Sequence, residues 1–272
     1  MLKITFFDWL LNNTDTYTRL YEPFQGLFCP LHIWLMISLV AWLCVCPFIF
    51  RKWRNFSKTF TLVLAVIMLV WRISRMIMEM TIGGKTFAEE MPWHLCHIMC
   101  FCLGIATIYN YFTGGKLKGR WLLASFCIFG FFGGLMTFGF GDYYQYKEMS
   151  FYEIESLYLH YMIPTLAVYH VSVNNIWFNF KNITQSLAFL GGMILYGWLG
   201  NWWLIGVVPL SKPVFFDDNV KPNVNVMFMR FNALPFKFSG VRHYWTYLFM
   251  IACAYFSGYT ACGILWTRKK LK

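Results

Sequence analysis

The chain has 272 residues, of which 58% are hydrophobic and 13% are charged, and its formal net charge is +11. Soluble domains average about 25% charged residues, so this composition excludes an ordinary water-soluble fold. It predicts an all-α, polytopic membrane protein whose residues 1–272 form a single transmembrane domain. The basic residues fall mainly in short loops between apolar segments, a pattern typical of membrane orientation signals and not of nucleic-acid binding.

Seven apolar segments approach or exceed the length of about 20 residues that a membrane-spanning helix needs. Basic residues, or Gly, Pro, Asn and Asp, separate each segment from the next. The residues before the first segment lack the basic start and apolar stretch of a cleavable signal peptide, so we expect this segment to be a true span. The predicted spans are 31–50, 59–78, 92–112, 121–140, 157–176, 185–207 and 245–266.

The orientation follows from the basic residues of the short loops. They cluster in the loops 51–58 and 113–120 and in the tail after residue 266, which places all three on the cytoplasmic side. The N-terminus and the long loop 208–244 then lie outside, and the C-terminus lies inside. We expect a seven-helix bundle in the plasma membrane, with membrane phospholipids as its partners.

Ionisable residues concentrate near the outer ends of the predicted spans, where they are costly and usually face a cavity. Spacings of three and four place Arg72, Arg75 and Glu79 on one face of the second span. The simpler alternatives are that the arginines extend to lipid headgroups and that some histidines are interfacial hydrogen-bonders. The other residues at this level are His32, His94, Cys96, His97, Glu153, Glu155, His160 and His243.

Most of the nine cysteines lie inside apolar segments, where a thiol acts as a small hydrophobic group. Cys96 differs because it stands between Leu95 and His97, two residues after His94, at the start of a predicted span. Two imidazoles beside a thiol at the membrane edge exceed what packing requires. This pattern makes Cys96 a candidate nucleophile.

Two stretches, His94-Leu95-Cys96-His97 and His160-Tyr161-Met162-Ile163-Pro164, resemble elements of a known family. They are similar to the bacterial YwaF-type integral membrane proteins and the related eukaryotic transmembrane protein 164 acyltransferases. In that family an Asn-Pro-Cys-His-like element opens one span, and a Glu-rich segment followed by Gln-His-Tyr-Met opens a later one. This chain keeps the Cys-His pair but not the Asn-Pro, and Leu159 replaces the Gln. The outer segment 225–229 also resembles an Asn-Tyr-Met loop of the bacterial branch.

The resemblance implies a thiol acyltransferase that moves a fatty acyl group from a phospholipid to a lipid or lipoprotein acceptor. Cys96 would be its nucleophile and His160 its base. Glu155 is the candidate that orients His160, with Glu153 as a second choice. Glu155 precedes His160 by five residues, so this contact requires a bend before Leu157.

The substrate-binding candidates share an outer position and a charge or imidazole that suits a lipid headgroup. A guanidinium there would favour the Cys96 thiolate or hold a lipid phosphate. No cofactor, metal or nucleic acid is expected, and the sequence leaves the oligomeric state open. The substrate-binding candidates are Arg72, Arg75, His94, His97, Glu153 and His243.

Two other classes of function remain open. In a metal-dependent lipid hydrolase, zinc ligands would come from the set His94, Cys96, His97, His160 and His243. In a transporter or binding protein, Cys96 would be dispensable. The absence of lysine from 245–266 excludes a retinal Schiff base there, and the lack of an inverted repeat disfavours a transporter.

Overall fold

The computed structural model describes residues 30–83, 86–92, 95–115, 120–140, 151–174, 176, 184–193 and 195–196. Helices are the only regular elements in these ranges, which confirms the predicted all-α class for this part of the chain. Residues 184–193 form a further helical segment. The six named helices are α1 Pro30–Lys52, α2 Arg54–Thr81, α3 Phe87–Glu90, α4 Leu95–Phe112, α5 Arg120–Phe140 and α6 Phe151–Val173.

Five of these helices, α1, α2, α4, α5 and α6, coincide with the first five predicted spans. The segment 184–193 overlaps the sixth, whereas the seventh span and the loop 208–244 lie outside the described residues. Two helices, Ile33–Lys52 and Arg54–Thr81, are long and apolar enough to cross a membrane. The count of seven crossings and the orientation stay predictions.

Helix α2 is amphipathic in the reverse sense to a helix of a soluble protein. Its outward face carries exposed apolar side chains such as Val66, Val70 and Ile77. Its buried residues recur every three or four positions, as the residues on one side of an α-helix do. Along the helix they change from small to charged. A helix with apolar residues outside and ions inside suits a lipid environment. The inward residues are Ser57, Thr61, Ala65, Met68, Arg72, Arg75 and Glu79.

Helix α6 is central, because it packs against α1, α2, α4 and α5. A hydrogen bond of 2.9 Å from Trp42 Nε1 to Thr165 Oγ1 joins it to α1. The rings of Trp71 and Tyr158 stack between α2 and α6, with centroids 5.1 Å apart. The stacked rings join the C-terminal part of α2 to the N-terminal half of α6, and α4 packs against both helices.

Glycines allow α5 to approach its neighbours closely. A Cβ on Gly130 would lie 2.4 Å from Leu103 Cδ1 on α4, and one on Gly134 would lie 2.6 Å from Pro164 Cγ on α6. Two glycines four residues apart form the small-residue face that lets membrane helices pack backbone to backbone. Pro164 has no N–H to bond to the His160 carbonyl, and both its ring and that carbonyl face Gly134.

Candidate active site

A buried ion cluster joins the C-terminal part of α2 to α6. Arg75 donates a hydrogen bond through Nη1 to Glu155 Oε2. Its Nη2 donates to Glu79 Oε1 at 3.2 Å, one turn along α2. Arg75 and Glu155 are only 4% and 1% exposed. The two carboxylates therefore hold Arg75 inside the protein, and extension to lipid headgroups does not describe it.

Arg72 is also buried, but its contacts are longer. Its Nη1 lies 3.6 Å from Glu155 Oε1, and its Nη2 lies 3.7 Å from Glu90 Oε2. Both distances exceed the usual hydrogen-bond range. Its Nε is buried, and none of the described residues accepts a hydrogen bond from it. Arg72 is thus fixed by charges on α3 and α6, while its Nε–H has no acceptor among the described residues.

His97 on α4 is the remaining close partner of Arg72. The Arg72 Nη2 atom lies 3.3 Å from His97 Nδ1. Arginine is always a donor, so Nδ1 accepts and the neutral imidazole carries its proton on Nε2. In this state His97 offers an N–H, not a lone pair, beyond the Arg72 contact. It therefore suits hydrogen-bond donation better than proton abstraction.

Cys96 lies in the first turn of α4, next to His97. Its side chain is half-buried, and Arg72 contacts the adjacent His97. The N-terminus of a helix is a favourable place for an anion, because its first N–H groups lack intrahelical partners. A cation beside the Cys96 thiol stays a prediction, with Arg72 in contact with the neighbouring His97.

His160 is fixed by its own helix. Its Nδ1 lies 2.6 Å from the backbone oxygen of Ser156, which accepts only, so Nδ1 carries the proton. The lone pair is then on Nε2, the nitrogen that a general base uses. His160 is 4% exposed. Helix α6 therefore provides a buried imidazole in the tautomer opposite to that of His97.

The structure corrects the predicted role of Glu155 as the residue that orients His160. Helix α6 is continuous from Phe151 to Val173, without the bend before Leu157 that this contact requires. Five residues correspond to about 140° around a helix, so Glu155 faces α2 and not the imidazole. Both of its oxygens face arginines instead. The carbonyl of Ser156 orients His160 in its place.

Cys96 and His160 lie at a similar depth on packed helices. Thr107 Oγ1 on α4 and His170 Nε2 on α6 are 2.8 Å apart. Cys96 precedes Thr107 by eleven residues and His160 precedes His170 by ten, so at about 1.5 Å per residue the two differ by roughly 2 Å in height. In the described part of the chain, the Cys96 thiol is not hydrogen-bonded to His160. Proton transfer would require them to approach to about 3 Å or to share a water.

Several predicted site residues lie outside what the structure describes. These are His94 and His243, and the side chains of His32 and Glu153. Within the described ranges, no group of three or more His, Cys, Asp or Glu residues could hold a metal ion. Two of the five candidate zinc donors, His94 and His243, lie outside these ranges.

Two residues of the site were not predicted from the sequence. Glu90 contacts Arg72 from the short helix α3, and no periodic pattern links the two positions. The role of Ser156 depends on its backbone, so its residue type gave no signal. The position of Ser156 did give a signal, because the carbonyl four residues before a histidine in a helix lies within reach of the histidine Nδ1.

Comparison with known proteins supports the resemblance found in the sequence. No curated protein and no solved structure matches the chain. A family model described as the TMEM164 family matches residues 27–260, which is most of the chain. The match does not assign the chain to the YwaF-type branch. Together with the apolar helices α1 and α2, it indicates a membrane protein, and the chain belongs to the TMEM164 family.

Proposed function

We propose that the protein is a membrane-embedded acyltransferase that moves a fatty acyl group from a phospholipid to a lipid or lipoprotein acceptor. Cys96 carries the acyl group and His160 moves the protons. The observation that carries the proposal is the hydrogen bond of His160 Nδ1 to the Ser156 carbonyl. It leaves Nε2 as the basic nitrogen, at the depth of a thiol in the first turn of α4.

The first half-reaction acylates the thiol. His160 Nε2 takes the thiol proton, and the sulfur of Cys96 attacks the carbonyl carbon of the donor ester. The C–S bond forms, the ester C–O bond breaks, and the departing alkoxide takes the proton from His160. The products are a thioester on Cys96 and a lysophospholipid.

The second half-reaction regenerates the thiol. A hydroxyl or amine of the acceptor gives its proton to His160 Nε2 and attacks the thioester carbonyl. The C–S bond breaks, and the Cys96 thiolate recovers the proton from His160. Free hydrolysis would follow the same course with water as acceptor, so exclusion of water from the buried site favours transfer.

We also propose a location for the site and a set of further site residues. The site lies near the outer surface of a seven-span, multi-pass bundle in the plasma membrane, with the N-terminus outside. Ester carbonyls lie at the boundary between headgroups and acyl chains, where Cys96 would meet them. Arg72, Arg75 and His97 are supported as site residues by their position in the ion cluster. His94, Glu153 and His243 remain candidates from the sequence.

The test uses the full chain in phospholipid vesicles with a labelled acyl donor and a lysophospholipid acceptor. We expect Cys96→Ala and His160→Gln to abolish transfer, and Cys102→Ala to retain it. Cys102 is the matched control, since it is a half-buried cysteine on the same helix. Intact mass should detect the acyl adduct on wild type but not on Cys96→Ala.

Full transfer by Cys96→Ala, with no adduct on wild type, would disprove the thiol mechanism. Bound zinc together with loss of activity on chelation would indicate the metal-dependent hydrolase. Binding or transport that survives Cys96→Ala, without acyl transfer in any variant, would indicate the non-enzymatic class.

A further inference from the structure

The two buried arginines of the ion cluster are bound differently. Arg75 donates hydrogen bonds to carboxylates from two helices. Arg72 has carboxylates at 3.6 Å and 3.7 Å and one described hydrogen bond, to His97. A guanidinium has five N–H donors, and it is unfavourable to bury a donor without an acceptor. Arg72 therefore retains donor capacity that its described protein neighbours do not use.

Arg72 also lies beside the first turn of α4, because its Nη2 atom is 3.3 Å from Nδ1 of His97, the residue that follows Cys96. Its position is fixed by three elements, since Glu90 lies on α3, His97 on α4 and Glu155 on α6. Donors held rigidly near a nucleophile, in a site of low water content, are the arrangement that stabilises developing negative charge. Arg72 combines a fixed position with unused donors and proximity to the thiol.

We propose that Arg72 is a catalytic residue that binds the oxyanion of the tetrahedral intermediate on Cys96. This inference rests on the proposed acyltransferase function. When the sulfur attacks, the C–S bond forms and the carbonyl π electrons move to oxygen. The oxygen then accepts hydrogen bonds from the donors of Arg72, including Nε. When the intermediate collapses, the C=O bond returns and the alkoxide leaves with the proton of His160.

Charge conservation favours an oxyanion over a permanently charged phosphate as the ligand of Arg72. Glu90 and Glu155 lie within 4 Å of the guanidinium and would repel an added phosphate. An oxyanion adds no charge, because the negative charge of the thiolate only moves from sulfur to oxygen. The net charge of the site is therefore the same with the thiolate as with the tetrahedral intermediate.

The experiment measures the rate of thioester formation on Cys96 by intact mass, together with kcat and KM for transfer. Two donors with the same acyl chains are compared, a phospholipid and a diacylglycerol that lacks phosphate. We expect Arg72→Ala to lower kcat by about 10²–10³ for both donors, as loss of an oxyanion donor does, and to leave KM nearly unchanged. Added guanidinium ion should restore part of the activity.

Arg54→Ala is the matched control, because Arg54 is an exposed arginine on the same helix. We expect it to leave kcat unchanged. If Arg72→Ala does not fold, Arg72→Lys replaces it, since lysine keeps the charge but loses Nε and the planar fork. Arg72→Lys should also slow thioester formation with both donors.

Normal thioester formation in the folded Arg72 variant would overturn the inference. So would a raised KM confined to the phospholipid, which would show that Arg72 holds the phosphate. Retained activity of Cys96→Ala would instead overturn the acyltransferase itself. An inactive Cys96→Ala beside a fully active Arg72 variant would overturn only the role of Arg72.

Discussion

Arg75 on α2 and Glu155 on α6 form a hydrogen-bonded ion pair inside the helix bundle, although 80 residues separate them in the sequence. The pair holds the two helices that carry Arg72 and His160. Arg75 makes the closer contact with Glu155, so Arg72 has no carboxylate at hydrogen-bond distance and its one described hydrogen bond is to His97. Arg75 thus acts as a clamp, and Arg72 is the arginine that remains available to a ligand.

The first prediction concerns the stability of this clamp. Glu155→Ala breaks a buried ion pair and removes the one carboxylate that faces both guanidiniums, so we expect a loss of about 3–5 kcal/mol in the free energy of unfolding. The double variant Arg75→Met with Glu155→Leu should lose less than the sum of its single variants, with a coupling of at least about 1 kcal/mol. Unfolding in detergent micelles measures both.

Lys58→Ala is the control for the clamp, because Lys58 is an exposed side chain near the other end of α2. It should change the free energy of unfolding by less than about 0.5 kcal/mol. Strict additivity of the Arg75 and Glu155 variants would contradict the pairing.

The second prediction concerns the contact between Gly134 and Pro164. In Gly134→Ala the new methyl group would lie 2.6 Å from Pro164 Cγ and 3.0 Å from the His160 carbonyl, so α5 and α6 must separate. We expect a loss of about 1–3 kcal/mol, as for other overpacked cores. Acyl transfer should fall as well, because the displaced segment carries His160. Thermal unfolding and the vesicle assay measure the two effects.

Gly191→Ala is the matched control, since a Cβ at Gly191 meets nothing within 4 Å. Gly191 lies in the helical segment 184–193, so alanine should be neutral or stabilising by about 0.5–1 kcal/mol. Equal stability of the Gly134 and Gly191 variants would disprove the close approach of α5 to α6.

The third prediction concerns the polar network around His170, which is fully buried. Asn174 Nδ2 donates to His170 Nδ1 at 2.8 Å, so His170 Nε2 carries the proton and donates to Thr107 Oγ1. The Thr107 hydroxyl then donates to the Leu103 carbonyl at 2.7 Å. Thr107→Val removes the acceptor of a buried N–H, so we expect a loss of about 1–3 kcal/mol.

Thr81→Val tests whether that cost comes from His170. Thr81 makes the same type of bond, from its hydroxyl to the Ile77 carbonyl at 2.8 Å, but it is exposed. Its loss should cost less than about 0.5 kcal/mol. A Thr107 variant as stable as the Thr81 variant would show that His170 gains nothing from the hydroxyl.

The fourth prediction concerns the opposite tautomers of the two imidazoles near Cys96. We expect ¹⁵N NMR of histidine-labelled protein to show the proton of His160 on Nδ1 and that of His97 on Nε2. Arg72→Met should release Nδ1 of His97 and shift its ¹⁵N signals, while the His160 signals stay in place. Matching tautomers in the two residues would remove the basis for assigning the base to His160.

Local pattern was enough to predict several features of the site. Periodicity placed Arg72, Arg75 and Glu79 on one face of α2, and all three are buried there. The start of an apolar segment placed Cys96 in the first turn of a helix. The sequence did not reveal that Glu155 turns toward α2, because that direction depends on the rotation of α6 relative to its neighbours.

The amino-acid sequence alone determined that this chain is helical and suited to a membrane, because long apolar segments can satisfy their backbone polar groups in lipid only within helices or closed barrels. It also determined which residues lie near helix ends. Only the tertiary structure decided which carboxylate meets which guanidinium and which nitrogen of each imidazole is protonated. Those contacts join separate helices or depend on side-chain direction, and helix packing, with the close approach at Gly134, sets both.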